Sequence, residues 1–166
     1  MGKPDYTLIF IVEDDKFYAG VIRHALESRN FMNVKVFPNG EECLKNLHLK
    51  PEIILLDYRL GENFMDGLEV LKAMRKAGSD AQVIFLTAVD KLEVATNTIK
   101  AGAYDYVVKS EAAIERIRNI IRRITFENHI RRENLLLKRS RRIILSIIIL
   151  LALGIVILGV LQIMQQ

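Results

Sequence analysis

The chain has 166 residues, 24 Lys/Arg against 20 Asp/Glu, and 51% apolar side chains. That length suits one domain with its own core, and the lone Cys43 excludes an intrachain disulfide and a cysteine-built metal cluster. The charge is uneven: residues 1–115 hold 14 Lys/Arg and 18 Asp/Glu, residues 116–142 hold 10 and 2, and residues 143–166 hold none. The basic excess therefore belongs to one short segment and does not make the folded part a nucleic-acid binder.

In chain order, Thr7–Val12 is a nearly unbroken apolar run, as a strand buried on both faces requires. A helical pattern follows over 15–29, in which Tyr18, Val21, Ile22, Ala25 and Leu26 recur at helical spacing. Asn33–Phe37, Ile53–Leu56, Gln82–Leu86 and Tyr104–Val108 give four more strands, separated by helical patterns near 39–48, 66–77 and 90–102. Gly61, Gly67, Gly78 and Gly102 mark the joints. Five strands alternating with helices predict an α/β fold, a doubly wound parallel sheet with right-handed crossovers.

A sixth helical pattern starts at Ser110, a residue type suited to an N-cap, with Ile114, Ile117, Ile121 and Ile124 on one face. The same register continues through Asn128, Arg131, Leu135 and Lys138, too polar for a firm seam, so a solvated stalk over 126–142 is expected ahead of a homodimer seam. Ile143–Leu161 then runs 19 residues without a charge. As a helix it would span roughly 28 Å, enough to cross the hydrocarbon core, and a transmembrane helix is expected over 143–163. Lys138, Arg139, Arg141 and Arg142 sit just before it, a pattern that favours the cytoplasmic side and attracts anionic lipid. The expected organisation is a domain over 1–125, a basic juxtamembrane stalk over 126–142 and a membrane anchor.

Chemistry concentrates at the strand ends. The first strand runs into Glu13-Asp14-Asp15, the third into Asp57, the fourth into Thr87-Ala88 and the fifth into Lys109. In parallel sheets, ligands gather at the carboxyl edge, and a 2-1-3-4-5 strand order would set these four ends side by side. Crowded carboxylates call for a hard divalent cation, and Mg²⁺ bridges such groups to phosphoryl oxygens. An aspartate carboxylate can itself become an acyl phosphate. His24, His48 and His129 have no partner at ligand spacing and read as surface residues.

With the acidic group in IVEDD, Asp57 in ILLDYRL, Asp66-Gly67 in MDGLEVL, Thr87-Ala88 in FLTA and Lys109 in AYDYVVKS, the chain resembles the CheY-like receiver domains of two-component response regulators over about residues 5–125. The resemblance implies a flavodoxin-like fold of order 2-1-3-4-5. It implies Asp57 as acceptor of a phosphoryl group from a sensor histidine kinase or phosphotransfer protein, with no enzymatic activity beyond its own phosphorylation and dephosphorylation. It implies Mg²⁺ held by Glu13, Asp14, Asp57 and the main-chain carbonyl of Arg59. It further implies Thr87, Ala88 and Lys109 around the phosphoryl group, with Thr87 and Tyr106 as a switch pair. Three features depart from the family pattern: a loop after Asp57 two residues longer than usual, Gly61 where a proline is common, and Ser110 where a proline usually follows the lysine. The expected output is contact with a membrane-proximal protein, and nucleic acid is not expected as a partner. A phosphorylation-independent membrane adaptor, using the same fold as a docking module, is the alternative.

Overall fold

The computed structural model describes residues 5–88 and 92–131. Five parallel strands, β1 (Ile9–Val12), β2 (Val34–Phe37), β3 (Ile53–Asp57), β4 (Gln82–Thr87) and β5 (Asp105–Val108), form one sheet in the order β2-β1-β3-β4-β5. The register pairs Ile9 with Ile53 and Ile53 with Gln82, so the central strands end level with one another. Every residue of β1 and β3 is buried, which explains why both read as continuous apolar runs; β2 and β5, at the rims, are partly exposed.

Helices cover both faces: α1 (Lys16–Glu27), α2 (Gly40–Lys45), α3 (Gly67–Lys76), α4 (Leu92–Lys100) and α5, which starts at residue 113. One face of the sheet packs against Ala19, Ile22 and Leu26 of α1 and Ala113, Ile117, Ile120, Ile121 and Ile124 of α5. The other packs against Cys43 of α2 and Val70, Leu71 and Met74 of α3. Each fully buried Ile, Leu, Val or Met among them contributes roughly 1.5–3 kcal/mol. The half-exposed Arg23–Glu27 pair, at 2.7 Å, contributes only about 0.3–0.5 kcal/mol, so the layers are held by apolar burial. Burial also pushes the Cys43 thiol up to about 12, which makes it an inert part of the core.

Three expectations are corrected. Val21 is 38% exposed, off the buried stripe of α1, which runs instead through Ala19, Ile22 and Leu26. The second helix is shorter than 39–48: Asn46 turns its amide back onto the Glu42 carbonyl at 2.8 Å, and a 3-10 turn (Leu47–Leu49) follows. Ser110 is not the N-cap of the last helix; its carbonyl accepts from the Ala113 amide at 3.0 Å in a turn that delays the helix to residue 113.

The chain divides into two compact units, Met1–Ile124 and Thr125–Gln166. Of the second, residues 125–131 are described, and they are helical. Among the described residues no helix is long and apolar enough to cross a membrane. The expected transmembrane helix over 143–163, and the stalk beyond residue 131, lie outside the described residues.

Gly67 is where packing is tightest beside β3. A Cβ there would sit 2.4 Å from the Asp57 carbonyl oxygen and 2.8 Å from a Phe85 ring carbon. The bare α-carbon lets the Gly67 amide donate to the Tyr58 carbonyl at 3.0 Å and draws the start of α3 against the end of β3. Gly67→Ala is therefore expected to lower stability by about 1–3 kcal/mol. Gly20→Ala, on the exposed side of α1 with nothing within 4 Å, is expected to raise it slightly. Urea denaturation of the two variants and the parent checks the contrast, and equal midpoints would contradict the close approach.

Candidate functional site

At the carboxyl edge of the sheet, the three acids that follow β1 take different tasks. Asp15 caps α1, its Oδ1 accepting from the amides of Phe17 at 2.9 Å and Tyr18 at 3.2 Å. This leaves Glu13 and Asp14 free of capping. Glu13 is 1% exposed, while Asp14 is exposed. Asp57, the last residue of β3, is 6% exposed. The chain just after it is held: the Tyr58 amide donates to Leu86 O at 2.8 Å, and the Arg59 amide donates to Asp57 Oδ1 at 3.3 Å.

Lys109 follows β5, anchored by its amide to Thr87 O at 2.7 Å. Its ammonium donates to Asp57 Oδ2 at 2.7 Å and to Glu13 Oε1 at 2.8 Å. It lies equally close, 2.8 Å, to Glu13 Oε2, yet that oxygen is buried without a hydrogen bond of acceptable geometry. The ring of Tyr18, from the first turn of α1, lies 4.9 Å from the ammonium. Ser110 in place of the usual proline thus leaves Lys109 within reach of both carboxylates.

Glu13, Asp14 and Asp57 each offer an oxygen within 4.8 Å of the others. Such a group of hard oxygen donors is suited to a divalent cation. Burial pushes Glu13 up to about 7, and the charge of Asp57 adds to this, while the hydrogen bond from Lys109 works against it. On Lys109, burial disfavours the charge, but the hydrogen bonds to Asp57 and Glu13 outweigh it and hold the ammonium above its ordinary range.

Of the other expected site residues, Thr87 and Ala88 lie at the end of β4 and Tyr106 lies within β5. Thr87 closes β4 and is 2% exposed; Ala88, next to it, is exposed. Tyr106 pairs with Phe85, and Thr87 with Val108, so Thr87 and Tyr106 stand on the same face of the sheet. Tyr106 is half-buried, and the Arg116 guanidinium of α5 lies over its ring at 5.6 Å. Asp105 holds that guanidinium at 3.6 Å.

The long loop between β3 and α3 passes beside the acids. Gly61 has φ +90°, and a Cβ there would lie 3.9 Å from Asp14 Oδ2. Proline, fixed near −65°, does not fit that backbone, which accounts for the departure from the family pattern. The far end of the loop is tied to α2, where Glu41 Oε1 accepts from the Met65 amide at 2.9 Å.

Sequence reasoning missed three of these residues. Tyr18 reads as one more apolar position of an amphipathic helix. Arg116 reads as part of a basic run, and Glu41 as a first-turn helical acid. Only the Tyr18 hydroxyl, a polar group on the buried side of α1, hinted at more.

The response regulator receiver domain model matches residues 9–122. The acid tolerance regulatory protein ActR of Sinorhizobium medicae is 32% identical over 120 residues, covering 72% of this chain and 60% of that protein. An NtrX-like response regulator of Rickettsia bellii is 36% identical over 102 residues, covering 61% of this chain and 21% of that protein. The chain therefore matches between about a fifth and three-fifths of the length of these relatives. Among solved structures, the receiver domain of NtrX from Brucella abortus superposes with a TM-score of 0.64 at 21% identity, covering 70% of this chain and 96% of that one, a likeness of fold. With its strand order, its acidic edge and a family match over most of its length, the chain belongs to the response regulator receiver domains.

Proposed function

We propose that this receiver accepts a phosphoryl group on Asp57 from a histidine kinase, a phosphotransfer protein or a small acyl phosphate, and does so next to a membrane. The observation that carries the reading is the meeting of Asp57, Glu13 and Lys109 within hydrogen-bond distance at one strand edge, with Asp14 beside them.

A carboxylate oxygen of Asp57 attacks phosphorus, the bond from phosphorus to the donor's nitrogen or oxygen breaks, and the leaving group departs with that electron pair. The strand pairing before Asp57 and the amide bonds after it would keep its carboxylate oriented for attack. Lys109 then exchanges its carboxylate partner for a phosphoryl oxygen and offsets part of the charge that develops. The Thr87 hydroxyl bonds another oxygen, and Tyr106 turns toward the space that Thr87 leaves. Glu13 Oε2, buried beside Lys109 but without a well-formed hydrogen bond, and the exposed Asp14 fit a Mg²⁺ site that Asp57 and the Arg59 carbonyl would complete. Mg²⁺ supplies positive charge to the phosphoryl oxygens when bound. Arg59, two residues after the acceptor, would hinder attacking water and so set the phosphoryl lifetime.

The uncharged stretch 143–161 and the basic residues before it support a single-pass anchor that keeps the receiver in the cytoplasm beside anionic lipid. Confinement there raises the local concentration of the domain for a membrane-proximal output protein.

Three outcomes are expected. With acetyl phosphate and Mg²⁺, the full chain takes up one phosphoryl group by intact-mass measurement, and Asp57→Asn or chelation abolishes the uptake. An unlabelled parent would reject the acceptor reading; partner capture that is unchanged in Asp57→Asn would favour the adaptor instead.

The second outcome concerns pH. In metal-free protein the fold favours protonated Glu13, so its contribution to stability is complete below about 4.5 and is lost as pH rises through about 7, an effect of up to roughly 3 kcal/mol. Mg²⁺ should accordingly raise the melting temperature more at pH 8 than at pH 6, and Glu13→Gln should erase the difference. A parental Mg²⁺ effect that is flat with pH would refute this. Third, deleting residues 143–166 should move the protein from the membrane pellet to the supernatant on ultracentrifugation; a truncated protein that still pellets would argue against the anchor.

A further inference from the structure

Lys109 is a single ammonium set against several carboxylates, and it sits on a four-carbon stem with about 2 kcal/mol of rotamer freedom. In the resting arrangement Asp57 and Glu13 hold it from one side, at 2.7 and 2.8 Å. Both anchors change during phosphoryl transfer. Asp57 becomes an acyl phosphate, a mixed anhydride, and Glu13 would be among the residues that hold Mg²⁺. An ammonium held only by those two groups would lose its seat when it must meet a phosphoryl oxygen.

The Tyr18 ring offers a third wall that the reaction leaves alone. It lies 4.9 Å from the ammonium. Its backbone is fixed in the first turn of α1 by the Asp15 cap, and its ring packs against the apolar cluster shared by β1, β3, α1 and α5. An aromatic face attracts a cation by about 0.5–2 kcal/mol, more where water is excluded. The hydroxyl is buried with no hydrogen-bond partner. A buried hydroxyl without a partner costs stability, so the ring face, and not the hydroxyl, is the part of Tyr18 that the site uses.

We propose that Tyr18 is a positioning residue for phosphoryl transfer, whose ring face keeps the Lys109 ammonium aimed at the phosphoryl oxygens after its carboxylate partners rearrange. This rests on Asp57 as the acceptor. Tyr18 is not one of the oxygen donors that would hold Mg²⁺, so its removal should slow transfer without weakening the binding of Mg²⁺.

The test compares Tyr18→Phe, Tyr18→Leu and the parent, each as the full chain, in acetyl phosphate labelling over a range of Mg²⁺ concentrations. Tyr18→Phe keeps the ring and should label at the parental rate, with stability equal to or above the parent's. Tyr18→Leu keeps an apolar side chain but no ring face. Its maximal rate should fall roughly 2- to 30-fold, the range that the cation–ring attraction converts to, at an unchanged half-saturating Mg²⁺ concentration. Parental labelling by Tyr18→Leu overturns the proposal, as does a loss in Tyr18→Phe equal to that in Tyr18→Leu, or a rate loss that tracks weaker Mg²⁺ binding. Nuclear magnetic resonance of the Lys109 ε-methylene protons provides a second measurement, needing neither phosphorylation nor a folded leucine variant. An upfield ring-current shift in the parent and in Tyr18→Phe is expected, and its absence from the parent refutes the stacking outright. A parent that shows the shift yet takes up no phosphoryl group instead removes the acceptor reading, and the positioning role with it.

Discussion

One ammonium between two buried carboxylates governs the carboxyl edge of this sheet. Lys109 reaches Asp57 and Glu13 at 2.7 and 2.8 Å, and Asp14 adds a third acid within the same small space. A single positive charge does not neutralise three negative ones, and burial makes the mismatch expensive. Burial, with the charge of Asp57 adding to it, raises the pKa of Glu13, and one of its oxygens lies beside the ammonium without a well-formed hydrogen bond. A site in this condition gains from any added cation and from any rearrangement that spreads its charge. Behind that edge the centre of the sheet, Ile9–Val12 and Ile53–Leu56, is apolar and buried.

Much of the architecture could be read from the chain because its central strands carry no conflicting pattern. Ile53–Leu56 and Val83–Leu86 are apolar, bounded by turn residues, and too short for buried helices, so their nature as strands followed from length and composition, while their order in the sheet came from the family resemblance. The gathering of Glu13, Asp14, Asp57 and Lys109 was legible too, since a parallel sheet brings the ends of its strands to one edge whatever the intervening sequence. Local competition was harder to read. Asn46 ends α2 with a side-chain bond to its own helix, and the turn after Ser110 delays α5. Both are contests between backbone and side-chain hydrogen bonds that leave no period behind them.

Contacts across elements left the faintest trace. Tyr18 and Lys109 are far apart in sequence, and nothing in either segment marks the other. Arg116 over Tyr106, steadied by Asp105, joins α5 to β5 in the same way. Such pairs are made by the fold and not by the segment, so they become visible only once the layers are in place. The loop after Asp57 lies between these cases. Its extra length was plain, but its course beside Asp14, its positive φ at Gly61 and its tie to Glu41 were not.

The rims of the sheet carry a consequence of their own. β2 and β5 are both four residues long, with Lys35 inside one and Asp105 inside the other. An open edge is a template onto which a foreign strand can add, and its danger grows with length and apolar character. Short rims that carry charge offer little to build on, so the apolar strands inside the sheet are kept from any neighbour that would nucleate a fibril.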